Sequence, residues 1–277
     1  MNWNRLVVCE FRRGIIRKVQ LLAVLQFLFL SFFFWISKRN LAEKPLLGDY
    51  LFYFFCGIPP IQNNQSGTFS LPTMWLQIFA CALYVNLSYP LCDLTKEGEQ
   101  ILVRCGSRRK WYMSKCIWNL SASIAYYLSA VLSANFMTLI TGGNAVLDFH
   151  PDFFIHLTSA SYRATITVQE KLLAIVVLPV TAIAAINMLQ MTLSFIFKPV
   201  YAFITCMTVL IAGIFFASPF LVGNNVMLLR SSLLFVDSTQ ISAIHSVITN
   251  ILTISLCIPI GMNKFKDYDI LPTVGKE

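Results

Sequence analysis

Hydrophobic residues along this chain occur in long runs, and charged residues divide them into windows. A helix that crosses the hydrocarbon of a bilayer needs roughly 20 mainly apolar residues and tolerates few charges, so each window can hold one helix. The pattern predicts an all-α membrane protein with residues 1–277 in a single transmembrane domain. We expect six spans, at about 19–36, 70–91, 116–140, 171–193, 199–221 and 239–262.

Two further segments are apolar but do not fit a full span. Residues 46–58 are only about a dozen before the break at Pro59 and Pro60, which is too short to cross and typical of an interfacial or re-entrant element. Residues 219–236 carry Arg230 within an apolar stretch, and either a re-entrant hairpin or an ordinary outer loop accounts for them.

The first residues predict an amphipathic helix at the membrane surface, or alternatively a short basic flank with no defined face. Apolar residues recur there at intervals of three or four, namely Trp3, Leu6, Val7, Phe11 and Ile15. The apolar run that follows is long and ends at Trp35, Lys38 and Arg39 without a small-residue cleavage site. It is therefore predicted to remain as the first span rather than to be removed as a signal peptide.

Composition supports the membrane assignment, because 57% of the residues are hydrophobic and 12% are charged, against roughly 25% charged in soluble domains. Basic residues collect in cytoplasmic loops, and most of them fall on one side if both termini are cytoplasmic. The predicted outer segments carry only Lys38, Arg39, Lys44, Arg163, Lys171 and Arg230. Anionic lipids account for the net charge of +8 without a nucleic-acid partner.

Motifs for catalysis are missing from the sequence. There is no phosphate-binding loop, no HExxH and no GxSxG, so we expect neither an enzyme nor a chain that binds a cofactor itself. The eight cysteines lie in or beside apolar runs without a CxxC pair, as small hydrophobic side chains do. Asp148, His150, Asp152 and His156 could bind a metal, but nothing fixes a ligand geometry and a solvated loop is the preferred interpretation.

Polar residues inside the predicted spans are few. Asn135, Asn187, Gln190 and His245 are candidates for the lining of a translocation path. Hydrogen bonds between helices are the alternative role for them, and for Gln240 and Asn250.

The segment between the second and third spans has an ordered pattern of charge. Asp93, Thr95, Glu97 and Glu99 precede a short apolar run, as at the positive N-terminal end of a brief helix. Gly106 can end that helix, and Ser107 can cap the next one, which is predicted to start at Arg108 and continue into the third span. A short helix joined rigidly to a membrane helix could transmit a push from a soluble partner, whereas a plain basic anchor explains the basic half equally well.

The stretch "GEQILVRCGSRRKWYMSKCIWN", the junction "FKPVYAF" and the tail "GMNKFKDYDIL" resemble permease subunits of bacterial type-2 ABC exporters, in the branch of antibiotic or bacteriocin export and immunity. The resemblance implies a multi-pass protein of the bacterial cytoplasmic membrane that pairs with a second permease chain, identical or related. It also implies a separate ATPase subunit, which would bind ATP and Mg. That ATPase would dock on the segment between spans two and three, known in the family as the coupling helix.

On this resemblance the expected contacts with the ATPase are Asp93, Glu97, Glu99, Arg104, Ser107 and Arg108. The exported substrate would be a peptide or an antibiotic. A different class of function also fits the sequence, namely a non-transporting membrane protein that confers immunity by sequestering a peptide.

Overall fold

The computed structural model describes residues 3–14, 18–39, 43–59, 71–87, 89, 102, 105–150, 153–154, 161–163, 166–236, 241–266 and 268. Its helices are α1 Trp3–Gly14, α2 Lys18–Lys38, α3 Leu47–Phe55, α4 Thr73–Asn86, α5 Arg108–Thr141, α6 Val168–Ser194, α7 Pro199–Phe215 and α8 Ala243–Lys266. Two short strands, β1 Ser161–Tyr162 and β2 Phe235–Val236, pair in antiparallel register.

The prediction of a helical chain of membrane type is confirmed, with the two short strands as exceptions. Among the described residues, four helices are long and apolar enough to cross a bilayer: Gln20–Lys38 within α2, Arg108–Thr141, Val168–Ser194 and Ala243–Lys266. The count of six spans therefore stays a prediction. The helices α4 and α7 are also apolar but have 14 and 17 residues, fewer than the roughly 20 of a typical span. The helix α7 ends at Phe215, and Phe216 is already extended, close before Pro219, which cannot continue a helix.

The helix α6 lies at the centre of the bundle, where it packs against α4, α5, α7 and α8. Its buried face includes Ala182, Ala184 and Ala185, and such small side chains let helix backbones approach closely. The same device recurs where α8 crosses α5. A Cβ atom on Gly261 would collide with the hydroxyl of Tyr112.

Long-range contacts define two ends of the bundle. We call one the basic end, because the start of α5 and the end of α8 meet there and bring together Arg108, Arg109, Lys110, Lys264 and Lys266. We call the other the loop end, where the loop from Gly142 to His150 covers the start of α3. Helix α2 starts at the basic end and reaches the loop end, where Lys38 donates a hydrogen bond to the carbonyl of Phe153.

The two segments with ambiguous sequence patterns are both largely buried. Helix α3 has nine residues, eight of them buried, in accord with a segment too short to span. Residues 219–236 contain the 3₁₀ turns Asn224–Val226 and Leu228–Arg230 and the strand β2, without an α-helix. The side chain of Arg230 is only 1% exposed, which its position in a predicted outer segment did not indicate.

Candidate functional site

The junction that leads into α5 is the clearest local feature of the basic end. Gly106 has φ = 64°, a left-handed conformation that favours glycine, and its amide donates to the carbonyl of Leu102 over 3.1 Å. The hydroxyl of Ser107 accepts a hydrogen bond from the amide of Lys110 at 3.5 Å, and α5 begins at Arg108. The predicted sequence of glycine, cap and helix start is confirmed.

Arg108 fastens the start of α5 to the end of α8. Its Nη1 donates to the carbonyls of Lys266 and Tyr268 over 2.6 and 2.9 Å. Carbonyls at the C-terminal end of a helix have no partner within that helix, and a cation there also complements the helix dipole. The guanidinium predicted to contact an ATPase therefore has intramolecular partners, although the residue itself is exposed.

A buried ion pair lies beside this junction. Glu10 of α1 is 1% exposed and Lys115 of α5 is 0% exposed, with Oε2 of the glutamate 2.5 Å from Nζ of the lysine. The hydroxyl of Tyr89 donates to the same Oε2 over 2.8 Å. One carboxylate oxygen thus connects α1, α5 and the chain that follows α4.

Aromatic rings enclose the ammonium group of Lys115. Its Nζ lies 4.5 Å from the ring centroid of Tyr89 and 4.9 Å from that of Trp111. The Tyr89 ring in turn contacts Trp118 at 4.0 Å between centroids. Cation–π attraction is strengthened where water is excluded, so these rings stabilise the charge of Lys115 away from solvent.

A hydrophobic cluster at the basic end attaches the interhelical segment to the bundle. Leu102, 9% exposed, belongs to it, and Cys105 packs against it. The cluster draws its other members from α1, α5, α6 and α8, together with Phe195 just after α6: Leu6, Trp111, Tyr112, Cys116, Met188, Met191, Phe195, Cys257 and Phe265. The segment between α4 and α5 is thus anchored at both of its described ends, by Tyr89 on one side and by Leu102 and Cys105 on the other.

Four of the predicted ATPase contacts, Asp93, Glu97, Glu99 and Arg104, lie outside the residues that the structure describes. The predicted coupling helix therefore has no structural description, whereas the two points where it would join the bundle do. Ser107 and Arg108 lie at the second of these points.

The polar residues predicted for a translocation path differ in exposure and in partners. Asn187 is fully buried and bonds to α5, since its Nδ2 donates to Ser123 Oγ and its carbonyl accepts from Asn119 Nδ2. Gln190 is buried in the same helix, Asn135 is half-buried on α5, and His245 is exposed on α8. Asn187 therefore joins helices, the alternative role considered from the sequence.

The exposed faces of α4 and α7 carry polar side chains that sequence reasoning missed. On α4 they are Thr73, Gln77 and Tyr84, and on α7 they are Tyr201, Thr205 and Thr208. The two helices pack against each other. The large side chains exposed along the middle of α2 and α5 are aliphatic or phenylalanine: Leu21, Leu22, Leu25, Phe29, Phe32, Phe33, Ile124, Leu128, Leu132 and Phe136. The helix α7 is mixed, because it also exposes Val200, Ile204, Ile211 and Phe215. The hydroxyls of Thr205 and Thr208 donate to carbonyls of the same helix. The signal in the sequence was a spacing of three, four or seven between polar residues, which places them on one helix face, but hydrophobic residues surround them.

At the loop end, the residues considered for a metal site have other partners. The carboxylate of Asp148 accepts a hydrogen bond of 2.7 Å from Lys171, which lowers the pKa of Asp148. The ring of His150 contacts Asp49 through Nδ1 at 2.8 Å and Glu43 through Nε2 at 3.1 Å. Asp152 and His156 lie outside the described residues, and within the described part of the chain no group of three or more His, Cys, Asp or Glu could hold a metal.

Comparison with protein-family models, with curated protein sequences and with solved structures finds no match for this chain.

Proposed function

We propose that this chain is the membrane subunit of a bacterial type-2 ABC exporter. In this proposal α2, α4, α5, α6, α7 and α8 make six passes, both termini and the basic end are cytoplasmic, and a separate ATPase subunit binds ATP and Mg. A second permease chain, identical or related, completes the path, and the substrate is a peptide or an antibiotic.

The observation that carries the proposal is the anchoring of the segment between α4 and α5. Tyr89 bonds to Glu10 of α1, Leu102 packs in the hydrophobic cluster at the basic end, and Arg108 holds the end of α8. A displacement of this segment would act on several helices together, because the Tyr89 bond and the Leu102 packing are buried, while the exposed Arg108 bonds add a connection to α8. This is the mechanical connection that a docking site for a motor subunit requires.

The helix α5 provides the route from that docking site to the far end of the bundle. It has 34 residues from Arg108 to Thr141, which at 1.5 Å per residue corresponds to about 50 Å. Ser107 caps its first turn, Gly142 ends it with φ = 71°, and the helix is unbroken between them. A tilt of its first turn would therefore be carried to the loop end.

The polar faces of α4 and α7 give independent support for transport. A glutamine such as Gln77 is costly to expose to lipid, because its amide finds no hydrogen-bond partner there. A surface with Thr, Gln and Tyr side chains on otherwise apolar helices suits a hydrated or partner-covered passage. It carries no charge within the two helices, Thr73–Asn86 and Pro199–Phe215.

Co-purification tests the proposal. We expect the affinity-tagged chain, extracted in mild detergent from its native membrane, to retain an ATPase subunit. The double variant Glu97→Lys with Glu99→Lys should lose that subunit, whereas Glu170→Lys, a reversal at the loop end, should keep it. A wild-type chain that retains no ATPase at physiological salt would contradict the proposal and favour the non-transporting, peptide-sequestering function.

A further inference from the structure

The helix α3 is an unusual element, because it is a short helix buried within the loop-end half of the bundle. It has nine residues, and eight of them are buried, with Tyr53 the exception. Isolated helices of this length are marginal in water, so the position of α3 depends on what holds it. A charged side chain lies at each end of α3, and the amides of Leu47 and Gly48 also donate to the carbonyls of Asn144 and Val146.

The contacts of the Asp49 carboxylate hold the start of α3, and we call them the Asp49 clasp. This carboxylate is fully buried and accepts hydrogen bonds from the amides of Leu46 and His150 over 2.8 and 2.7 Å. Nδ1 of His150 lies 2.8 Å from Oδ2 of the same carboxylate. Burial raises the pKa of Asp49, while these hydrogen bonds act in the opposite direction. A carboxylate in the first turn also complements the helix dipole, so this clasp ties α3 to the loop that follows α5.

Arg230 forms the second clasp, beyond the end of α3. Its Nε donates to the carbonyl of Ile58 over 3.0 Å. The same guanidinium donates to the carbonyls of Gly213 and Ile214, each over 2.8 Å, in the last turn of α7. Beside it, the amide of Leu229 donates to the carbonyl of Cys56 over 3.0 Å. One buried side chain therefore joins the chain after α3 to the end of α7.

Between the two clasps, the sides of α3 are held largely by contacts between aromatic rings. Ring centroids lie 5.2 Å apart for Phe27 and Phe54, 5.1 Å for Phe34 and Tyr50, and 4.2 Å for Phe52 and Phe154. Such contacts are favourable but tolerate several relative orientations. The directional bonds that fix the position of α3 are concentrated at its ends.

We infer that α3 is a separately movable wedge at the loop end, fixed by the Asp49 and Arg230 clasps and coupled to α7 through Arg230. Releasing either clasp loosens that end of α3 and makes its opening more frequent, while the long helices stay in place. Since Arg230 bonds to both segments, movement of the end of α7 must carry α3 with it or break the Arg230 clasp. The inference concerns this chain alone and does not depend on an ATPase partner.

Amide hydrogen exchange, measured on the full-length chain in lipid nanodiscs, tests whether α3 opens separately from the long helices. In Arg230→Gln and in Asp49→Asn we expect the amides of Leu47–Phe55 to exchange about tenfold faster or more, since local opening is controlled by the contacts removed. Amides in the middle of α5 and α6 should stay within about twofold of wild type. The matched control is Glu170→Gln, which removes a loop-end carboxylate bonded to Thr167 and Arg163 without touching α3.

Arg230→Lys replaces Arg230→Gln in the experiment if the glutamine variant does not fold. A lysine retains the charge but cannot reach all the acceptors of the guanidinium, so α3 should exchange at a rate between those of wild type and Asp49→Asn. The amides at the end of α7, next to Gly213, should speed up in the Arg230 variants but not in Asp49→Asn. Wild-type exchange of α3 in all three variants, or an equal increase in α3, α5 and α6, would overturn the inference.

Discussion

At the residue scale, the buried pair of Glu10 and Lys115 has a large energetic consequence. Removing water from a charge is expensive, and the cost is offset only while the opposite charge is in contact. Tyr89 adds a hydrogen bond to the carboxylate and a ring face to the ammonium group. Each member of this cluster therefore depends on the others, so their substitutions will not have additive effects.

Glu10→Gln should destabilise the chain by about 3–5 kcal/mol, because it removes a carboxylate that lies 2.5 Å from the buried ammonium group of Lys115. The double variant Glu10→Gln with Lys115→Met should recover a large part of that loss, since it removes both charges of the pair. Thermal unfolding in one detergent, followed by intrinsic fluorescence, gives the comparison. A double variant less stable than Glu10→Gln alone would contradict the assignment of the pair.

Gly261 is a second position where one atom matters. Alanine there would place a Cβ against the hydroxyl of Tyr112, and overpacking of this kind costs about 1–3 kcal/mol. Tyr112→Phe would still leave the ring carbon Cζ 2.6 Å from that Cβ, whereas Tyr112→Leu removes both the hydroxyl and Cζ, so Gly261→Ala should cost less in the Tyr112→Leu background than in the wild type. Melting temperatures of the two single variants and the double variant measure this, and a missing rescue would show that α8 does not cross α5 at this point.

At the element scale, local rules predicted the start of α5 but not what it is joined to. Gly106, Ser107 and Arg108 were assigned correctly, because a left-handed glycine and a serine cap are determined by neighbouring backbone groups. Glu10 meets Lys115 across 105 positions of the sequence, and no pattern of spacing indicates such a contact. Glu10 also lies on the buried side of α1, where the amphipathic pattern of that helix gave no reason to expect a carboxylate.

The two shorter apolar segments also divide into what the sequence predicted and what it did not. The short segment 46–58 was predicted as interfacial or re-entrant because its length is visible in the sequence. The burial of Arg230 was not predicted, since its partners are carbonyls of α7 and of the chain after α3. Every residue has a backbone carbonyl whatever its side chain, so such a partner can be identified only from the folded structure.

Substitutions at Gly106 separate backbone conformation from packing. A Cβ there would meet nothing within 4 Å, so only the left-handed φ opposes a side chain. Gly106→Ala should cost about 1 kcal/mol, whereas Gly106→Asn should cost less because asparagine tolerates this conformation better. Thermal unfolding of the two variants is the measurement, and equal losses would show that φ at this residue is not the controlling factor.

At the scale of the whole molecule, exposed polar side chains are unevenly distributed among the helices. The exposed residues along the middle of α2 and α5 suit lipid, whereas α4 exposes Gln77 and α7 exposes Thr205 and Thr208 beside apolar side chains such as Ile204. Overall composition does not explain this difference, because α4 and α7 are apolar as well. We therefore predict that α2 and α5 are in contact with lipid, whereas parts of α4 and α7 are in contact with water or with a partner chain.

Thiol labelling in membranes tests that prediction. In a background without native cysteines, Gln77→Cys and Thr205→Cys should react with a water-soluble maleimide about tenfold faster or more than Leu132→Cys on α5, because a thiol in lipid stays protonated and unreactive. Leu132 is a suitable control, since its side chain is 68% exposed. Equal and slow labelling at all three positions would show that α4 and α7 face lipid.

The most direct test of the central claim, that a motor subunit docks between α4 and α5, is site-specific photocrosslinking in the native cell. A photoreactive amino acid replaces Glu99 in one strain and Gln169, at the loop end, in another. The account predicts that the Glu99 position crosslinks to a nucleotide-hydrolysing subunit and that the Gln169 position does not. No crosslink to an ATPase from Glu99, with the variant chain present in the membrane at the normal level, would contradict it.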